Sequence, residues 1–345
     1  MSVEPTTNEN QIRKDRHRAY AASHETNQRN AVILRTFSDI ELGSYFLETP
    51  APLTQLYSVE RPKVAIFQHS DILDPVVSWQ HSLALAGTGS RICLINAASE
   101  RDPGSGWMDS QKFQEDAICR RTTLFHALTN PGEREARRSF YPLEDGGIHS
   151  PNVVIHRDGP ANGYTTYETR EQCTVISVVS VSRQHNPRLK HDGSYSFLEE
   201  RLAQKDKMVT ALRIAARNGY RNLVIGSFGS VNREVPEYSS RKDKRGGGIG
   251  GRGPLNDERL DVNPIKEVSE LWGILLDQEK EFMGYFDKVV FIVGVGVRCT
   301  EEYDELQKVF NLRGVPSCLK AWYPGECDFA YRDNVAKTTP SCHAD

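Results

Sequence analysis

The apolar residues of this chain fall into two alternating patterns. Short continuous apolar runs predict buried strands, whereas apolar positions at helical spacing over longer stretches predict helices. The predicted strands span residues 64–67, 91–96, 152–156, 173–181, 222–228 and 288–294. The predicted helices span residues 31–45, 75–86, 110–128, 196–218, 264–286 and 301–310. Because strands and helices alternate, the pattern predicts an α/β fold of three layers, in which helices flank a mixed central sheet.

Two segments carry more detailed signals. Residues 91–96 are continuously apolar, which is typical of a strand covered on both faces. Ser196 and Glu199 have the spacing of a capping box, and Gly219 follows the last apolar position of the same segment. These residues predict the start and the end of the helix at 196–218.

Three segments fall outside the alternating pattern. Residues 1–30 are polar and predict a flexible tail, so the globular domain is expected to span residues 31–315. Residues 231–261 form a basic, glycine-rich insert in that domain, and residues 316–345 form a C-terminal extension. The part of the insert at 239–254 could contact nucleic acid through its charge, or it could be a solvated loop.

The composition excludes several classes of protein. Hydrophobic residues make up 38% and charged residues 26% of the 345 positions, which is typical of a globular protein with a sizeable core. The net charge of -3 gives no overall attraction to nucleic acid or to anionic membranes. No apolar run is long enough to span a membrane, and the polar N-terminus lacks the apolar core of a secretory signal. The seven cysteines, none in a Cys-x-x-Cys pair, favour reduced thiols in an intracellular protein, so a cytoplasmic or nuclear location is expected.

The loop after the strand at 91–96 is the most informative stretch. It contains Pro103-Gly-Ser-Gly106 and leads into the predicted helix that carries Glu115 and Asp116. Glycines before a helix start allow backbone amides to cradle a phosphate, and a carboxylate pair is what cleavage of a glycosidic bond requires. The same residues are also compatible with an ordinary strand-to-helix turn, followed by acidic residues that the helix dipole favours.

Two further strand ends carry small or acidic residues. Gly226-Ser-Phe-Gly-Ser230 lies at the end of the strand at 222–228. Because α/β sheets bind ligands beyond the carboxyl ends of their strands, this segment could meet the first loop at one ligand, or it could be a turn with a packed Phe228. Asp71 follows the strand at 64–67 and could hold an adenine amino group or cap the next helix.

In these residues the chain resembles the microbial-type poly(ADP-ribose) glycohydrolases (PARGs), which are macrodomain proteins. The family pattern is Asn-x-Ala-Ser at a strand end, then Pro-Gly-Gly-Gly, Gln-Glu-Glu and Leu-Cys-Arg-Arg-Ser-x-Leu. The chain has, in the same order, Asn96-Ala-Ala-Ser99, Pro103-Gly-Ser-Gly106, Gln114-Glu-Asp116 and Ile118-Cys-Arg-Arg-Thr-Thr-Leu124. Leu223-Val-Ile-Gly-Ser-Phe-Gly229 is similar to the family's second glycine loop, and the resemblance spans most of residues 31–310.

The resemblance implies a macrodomain-like fold and a role for each site residue. Asn96 would hold the distal ribose, Glu115 would hydrogen-bond the ribose, and Asp116 would protonate the leaving oxygen as general acid. Gln114 belongs to the same motif and is a further substrate-binding candidate. Backbone amides of two loops would hold the diphosphate, namely Gly104, Ser105 and Gly106 in one loop and Gly226, Ser227, Phe228, Gly229 and Ser230 in the other. The family needs no metal, and no cofactor is expected.

Three departures from the family pattern concern the catalytic end of the site. Asp116 stands where the family has Glu, which retracts the carboxylate by about 1 Å and would lower the rate about a hundredfold without compensation. Ser105 replaces the middle glycine of the first loop. The insert separates Gly229 from Asn263-Pro264, so the aromatic residue that braces the distal ribose in the family is not evident.

Two functions follow from these residues. The first is an ADP-ribosyl glycohydrolase that releases ADP-ribose from proteins carrying ADP-ribose or poly(ADP-ribose). The second is a reader module that binds ADP-ribose without cleaving it. Retention of an acid at position 116 favours the enzyme, and the shorter side chain of Asp116 favours the reader. The sequence leaves open the acceptor of ADP-ribose, the preference for polymer or single units, and the oligomeric state.

Overall fold

The computed structural model describes residues 7–56, 60–108, 113–130, 140–229, 263–295 and 297–311. Its helices are α1 (Thr7–Thr36), α2 (Leu73–Leu85), α3 (Gln114–Arg121), α4 (Leu124–Thr129), α5 (Leu198–Arg217), α6 (Ile265–Gly273) and α7 (Val297–Val309). Its strands are β1 (Tyr45–Leu47), β2 (Lys63–Gln68), β3 (Ile92–Ala98), β4 (Gly147–Ile155), β5 (Thr174–Ser182), β6 (Asn222–Ile225) and β7 (Lys288–Val293). Within these residues, no helix has both the length and the apolar composition that a membrane span requires.

The insert at 231–261 and the extension at 316–345 lie outside the described residues. The domain limits and the nucleic-acid contact at 239–254 therefore stay predictions.

The strands form one seven-stranded sheet in the order β1-β4-β5-β3-β6-β7-β2. β4 pairs antiparallel with β1 and β5, while the remaining neighbours are parallel. The predicted α/β fold with a mixed central sheet is therefore confirmed. β3 lies in the middle of the sheet, paired with β5 on one side and with β6 on the other.

Successive side chains of β3 alternate between two apolar cores. Ile92 and Leu94 belong to the core that α2, α3 and α4 cover, and Cys93 and Ile95 belong to the core that α5, α6 and α7 cover. All four side chains are buried. The sheet is thus the middle of three layers, as the continuous apolar run at 91–96 predicted.

The first helix differs most from the prediction. The sequence indicated a flexible tail to residue 30 and a helix over 31–45, but α1 runs from Thr7 to Thr36, and the chain then enters β1. The buried face of α1 includes small and hydroxyl side chains, which a search for apolar residues overlooks. Thr26 donates a hydrogen bond to the Arg120 carbonyl at 2.6 Å, and Ser23 accepts one from Arg120 Nε at 2.9 Å. These contacts dock α1 on α3.

Polar groups also redirect the backbone at two predicted helices. The helix predicted at 110–128 is divided into α3 and α4, because Thr123 exchanges hydrogen bonds with Val154 of β4 through its N–H and its hydroxyl. The capping box predicted at 196–199 is wrong. The Ser196 N–H donates to the Arg188 carbonyl, so α5 begins only at Leu198 and has no side-chain cap.

The helix predicted at 264–286 is also shorter. α6 ends at Gly273 and continues as a π-helical turn over Ile274–Gln278, after which Glu279 is extended.

Replacing Ala22 by Glu should weaken the docking of α1, because a carboxylate would enter a position that is 4% exposed. We expect the free energy of unfolding, measured by urea titration, to fall by about 2 kcal/mol or more. Val32→Glu is the control, since Val32 lies on the same helix and is 47% exposed. That change should stay within about 0.5 kcal/mol. Equal losses in both variants would show that this face of α1 is not buried.

Candidate active site

The carboxyl ends of three adjacent parallel strands meet at one edge of the sheet. β3 ends at Ala98, β5 at Ser182 and β6 at Ile225, and α/β sheets bind ligands at such an edge. A cleft of about 350 Å³ opens there, within the size range of small-molecule sites. It is lined by residues 98–103, by Ser105 and Gly106, and by Phe113, Arg183 and His185.

The first glycine loop has a left-handed backbone at three consecutive positions. φ is 72° at Gly104, 54° at Ser105 and 73° at Gly106. A Cβ atom at Gly104 would also lie 2.7 Å from Trp107, so both conformation and contact require glycine there. The Trp107 N–H donates to the Gly104 carbonyl at 2.8 Å and closes the turn. The predicted loop is thus present, and Ser105 occupies its middle in a conformation that strains a side chain.

Glu115 is buried between this loop and β3. Its Oε2 accepts hydrogen bonds from the Ser105 hydroxyl at 2.5 Å and from the Ser99 N–H at 3.0 Å. Its Oε1 accepts one from Asn96 Nδ2 at 3.1 Å. Burial raises the pKa of Glu115, the three hydrogen bonds oppose that rise, and the charge of Asp116 adds to it. A carboxyl with a raised pKa can hold a proton, as a general acid must.

Asp116 lies beside Glu115 at the start of α3 and is also buried. Its Oδ2 accepts a hydrogen bond from the Phe113 N–H at 3.1 Å. This bond satisfies one of the amide groups that a helix N-terminus leaves without a partner inside the helix. The helix dipole favours the ionised form of a carboxyl at this position.

The second glycine loop reaches the same helix from β6. Gln114 packs on Gly226 so closely that a Cβ atom at Gly226 would lie 2.0 Å from Gln114 Oε1. The structure therefore brings the end of β6 to the start of α3. Ser227 donates a hydrogen bond to Glu302 of α7.

The aromatic residue of the second loop points into the core. Phe228 is buried and packs edge-on against Trp272 with ring centroids 5.6 Å apart. The sequence allowed two interpretations of this loop, a ligand contact or a turn with a packed Phe228. The Phe228 side chain is packed, so Phe228 has only its backbone available for a ligand. Ser230 lies outside the described residues.

Asp71 lies apart from the other candidates. It follows β2, which β6 and β7 separate from β3 in the sheet. Its carboxylate accepts hydrogen bonds from the Leu73 N–H at 2.8 Å and from Arg121, which also pairs with Asp74. The Asp71 carboxylate thus accepts the first N–H of α2, and Asp71 is not among the residues that line the cleft.

Two nitrogen-bearing side chains line the cleft that the sequence did not single out. Arg183 and His185 follow the end of β5. The Arg183 guanidinium lies 4.7 Å from the centre of the Phe113 ring, and a Cβ atom at Gly229 would lie 2.4 Å from Arg183 Cδ. Their position follows from the pairing of β5 with β3, which the order of elements along the chain does not reveal.

Trp107 connects the first loop to the helices behind it. Its carbonyl accepts hydrogen bonds from the Ser23 hydroxyl at 3.3 Å and from Arg120 Nη2 at 3.5 Å. Its ring packs against Phe125 of α4 at 5.4 Å. The loop is therefore supported by α1, α3 and α4 together.

The groups that the described site offers are carboxyls, backbone amides, and the side chains of Arg183 and His185 in the cleft lining. Within the described residues, no three His, Cys, Asp or Glu side chains are grouped so that they could hold a metal ion.

Residues 55–158 match the family described as microbial-type PARG, catalytic domain. The predicted family resemblance is confirmed over this segment. The matched segment includes β2, β3, the first glycine loop and the Glu115–Asp116 pair, while the second loop at Gly226 lies beyond it. None of the curated proteins matches the chain by sequence.

Solved PARG structures share the fold. The X-ray structure of PARG from Thermomonospora curvata has a TM-score of 0.60 at 19% identity, covering 85% of this chain and 100% of that one. The same enzyme bound to the inhibitor ADP-HPD has a TM-score of 0.56 at 19% identity, covering 85% and 99%. A variant PARG from Deinococcus radiodurans in complex with ADP-ribose has a TM-score of 0.50 at 15% identity, covering 83% and 92%. The macrodomain-like fold is therefore confirmed.

Replacing Gly104 by Ala should destabilise the first glycine loop in two ways. The positive φ strains the new side chain by about 1 kcal/mol, and the contact with Trp107 adds about 1–3 kcal/mol. Gly163 is the matched control, because its φ is 65° and no atom lies within 4 Å of an added Cβ. Urea titration should therefore show a larger loss for Gly104→Ala than for Gly163→Ala. Equal losses would exclude the Trp107 contact as a cause.

Replacing Glu115 by Gln should stabilise the protein at neutral pH. The folded-state pKa of Glu115 lies above its ordinary value of 4.5. Stability is therefore lost as the pH rises above 4.5 and through the folded-state value, because the buried carboxyl ionises. Gln keeps the shape and cannot ionise. We expect the gain in melting temperature to be positive near neutral pH and to disappear in acid.

Glu199→Gln, on the exposed first turn of α5, is the control for this titration. A gain for Glu115→Gln that did not change with pH would contradict a titrating carboxyl at this position.

Proposed function

We propose that this protein is an ADP-ribosyl glycohydrolase, which binds ADP-ribose and hydrolyses its glycosidic linkage in ADP-ribosylated or poly(ADP-ribosyl)ated targets. The observation that carries the proposal is the buried Glu115–Asp116 pair behind a glycine loop that lines a cleft, within a segment that matches a catalytic-domain family. The relatives support the substrate class, since the fold is that of a PARG, and a PARG variant with this fold was solved with ADP-ribose.

The cleft suits the binding of a diphosphate. Successive backbone amides in a turn of this kind form a concavity that binds anions, and Gly104, Ser105 and Gly106 provide such a turn. Arg183 and His185 line the same cleft and add side-chain donors. We propose that these groups hold the diphosphate of ADP-ribose together with the second loop, and that Asn96 holds the distal ribose.

The proton for cleavage is proposed to come from the carboxyl pair. Two adjacent buried carboxyls resist ionising together, so the pair is expected to hold one proton. Both carboxyls are buried in the first turn of α3, so burial and the helix dipole act on both, and three hydrogen bonds also favour the ionised form of Glu115. The proposed acid is therefore Asp116, as the sequence suggests, and the proposed role of Glu115 is to hydrogen-bond the ribose. Substitutions can separate the two carboxyls.

One observation favours the reader instead. Glu115 and Asp116 are both 0% exposed, so neither carboxyl forms part of the cleft surface. A reader would bind ADP-ribose through the loops alone and would make no use of a proton from the pair.

Release of free ADP-ribose from poly(ADP-ribosyl)ated protein, measured beside ADP-ribose binding by calorimetry, tests the proposal. Glu115→Gln and Asp116→Asn should each lower the release rate about 100-fold or more, because each removes a carboxyl from the acid pair. Binding should change by less than about tenfold, since the loops remain. Glu199→Gln, away from the cleft, should retain both activities.

Other outcomes separate the two carboxyls and the two functions. If Asp116→Asn abolished release and Glu115→Gln mainly weakened binding, the acid would be Asp116, as the sequence suggests. Binding without release, from polymer and from singly modified proteins alike, would make the protein a reader, and a gain of release in Asp116→Glu would then identify the shorter side chain as the cause. Neither binding nor release would reject both functions.

A further inference from the structure

Phe113 lies where the cleft meets the proposed acid. It lines the cleft, and its N–H donates to Asp116 Oδ2 at 3.1 Å. Among the described residues that line the cleft, Phe113 alone carries a benzene ring. The described part of the second loop supplies no aromatic surface, because Phe228 is buried against Trp272 in the core. An apolar ring therefore lies beside the carboxyl that would donate the proton.

Arg183 holds the Phe113 ring in place. Its guanidinium lies 4.7 Å from the centre of the ring, within the range of a cation–π interaction. Arg183 is 7% exposed, and it packs against Gly229 so closely that a Cβ atom there would lie 2.4 Å from Arg183 Cδ. The end of β5 and the second loop thus support the ring together. A side chain fixed in this way loses little conformational freedom when a ligand packs against it.

The position of the acid decides which part of ADP-ribose would meet this ring. The leaving oxygen must come within hydrogen-bond reach of the acid, about 2.6–3.2 Å. The sugar whose anomeric bond breaks would therefore lie at the end of the cleft where Phe113 and Asp116 meet. A ribose presents C–H groups that pack on the negatively polarised face of an aromatic ring, whereas an anionic diphosphate gains nothing from that face.

Resting on the proposed function, in which Asp116 is the acid, we propose that Phe113 is a specificity-determining residue that contacts the distal ribose of ADP-ribose. Its ring packs against the C–H groups of that sugar, and Arg183 keeps the ring in position. The contact favours ligands that carry the distal ribose over ligands that end at the diphosphate. It contributes nothing to the binding of the adenosine half.

Calorimetry with ADP-ribose and with ADP tests the contact, because ADP lacks the distal ribose. The wild type should bind ADP-ribose more tightly than ADP. Phe113→Leu removes the ring and keeps an apolar side chain, so it should weaken ADP-ribose binding about tenfold and change ADP binding by less than about twofold. Unchanged ADP binding also shows that the variant is folded. Phe113→Met should behave in the same way, and Phe113→Tyr, which retains the ring, should keep both affinities.

Phe197 provides a matched control. It precedes α5 as Phe113 precedes α3, and the Arg188 guanidinium lies 5.6 Å from the centre of its ring. Phe197 is 45% exposed and is not among the residues that line the cleft. Phe197→Leu should therefore leave the affinities for ADP-ribose and for ADP unchanged.

The release assay provides a second readout. Phe113→Leu should lower kcat/KM for release of ADP-ribose from poly(ADP-ribosyl)ated protein about tenfold, because the distal ribose is also held in the transition state. A purely structural role of Phe113 would lower ADP binding along with release, whereas loss of the ribose contact lowers release and leaves ADP binding unchanged.

The outcomes separate this contact from the proposed hydrolysis. Equal losses of ADP and ADP-ribose binding in Phe113→Leu would place the ring against the adenosine or the diphosphate, and unchanged affinities would place it against no ligand. Either result would overturn the contact alone. A wild type that binds ADP-ribose without releasing it would overturn the hydrolysis, and a loss confined to ADP-ribose in Phe113→Leu would then still support the contact. A wild type that binds neither ligand would overturn both.

Discussion

β3 pairs in parallel with β5 on one side and with β6 on the other, and the parts of the cleft take their positions from this pairing. Parallel neighbours end at the same edge of a sheet, so three chain segments that are distant in sequence leave the sheet together. From β3 comes the loop that ends at Gly106, from β5 comes Arg183, and from β6 comes Gly226 against Gln114. The apolar side chains that bury β3 on both faces therefore also determine where these three segments meet.

Several residues of the site are in energetically unfavourable environments. Glu115 is fully buried, Ser105 has a left-handed backbone conformation, and the carboxyls of Glu115 and Asp116 repel each other. Such strain is tolerated when surrounding contacts outweigh it. Here those contacts come from behind the loop, where Trp107 is fixed by hydrogen bonds from Ser23 and Arg120. The docking of α1 on α3 thus helps to hold a strained loop that faces the cleft.

The sequence predicted the sheet better than the helices at its margins, and the reason is physical. Continuous apolar runs such as 91–96 identify buried strands directly, because burial on both faces leaves no polar position. α1 was missed over most of its length because the face it buries includes small and hydroxyl residues such as Ala22, Ser23 and Thr26. The break between α3 and α4 depends on hydrogen bonds from Thr123 to a strand that lies far along the chain.

In the candidate site, too, the sequence reveals groups that are close together along the chain and misses those that depend on distant contacts. The first loop, Gln114 and the carboxyl pair are local in sequence, so their spacing was sufficient to find them. Arg183 was not found, because its place beside the cleft depends on which strand neighbours β3. Asp71 was open to two interpretations, a ligand contact or a cap of the next helix, and its partner Arg121 comes from the end of a helix 50 residues away, which its position after a strand does not reveal.

The burial of the carboxyl pair bears on the choice between enzyme and reader. A module that only binds ADP-ribose needs amides and cations at the cleft, and the first loop and Arg183 lie there. A buried carboxyl whose pKa is raised lowers stability at neutral pH. An acid catalyst needs a group that can hold a proton, so the burial of the pair agrees with the proposed enzyme. The hydrogen bonds of Glu115 to Ser105, Ser99 and Asn96 would also suit a reader that holds the ribose through Glu115.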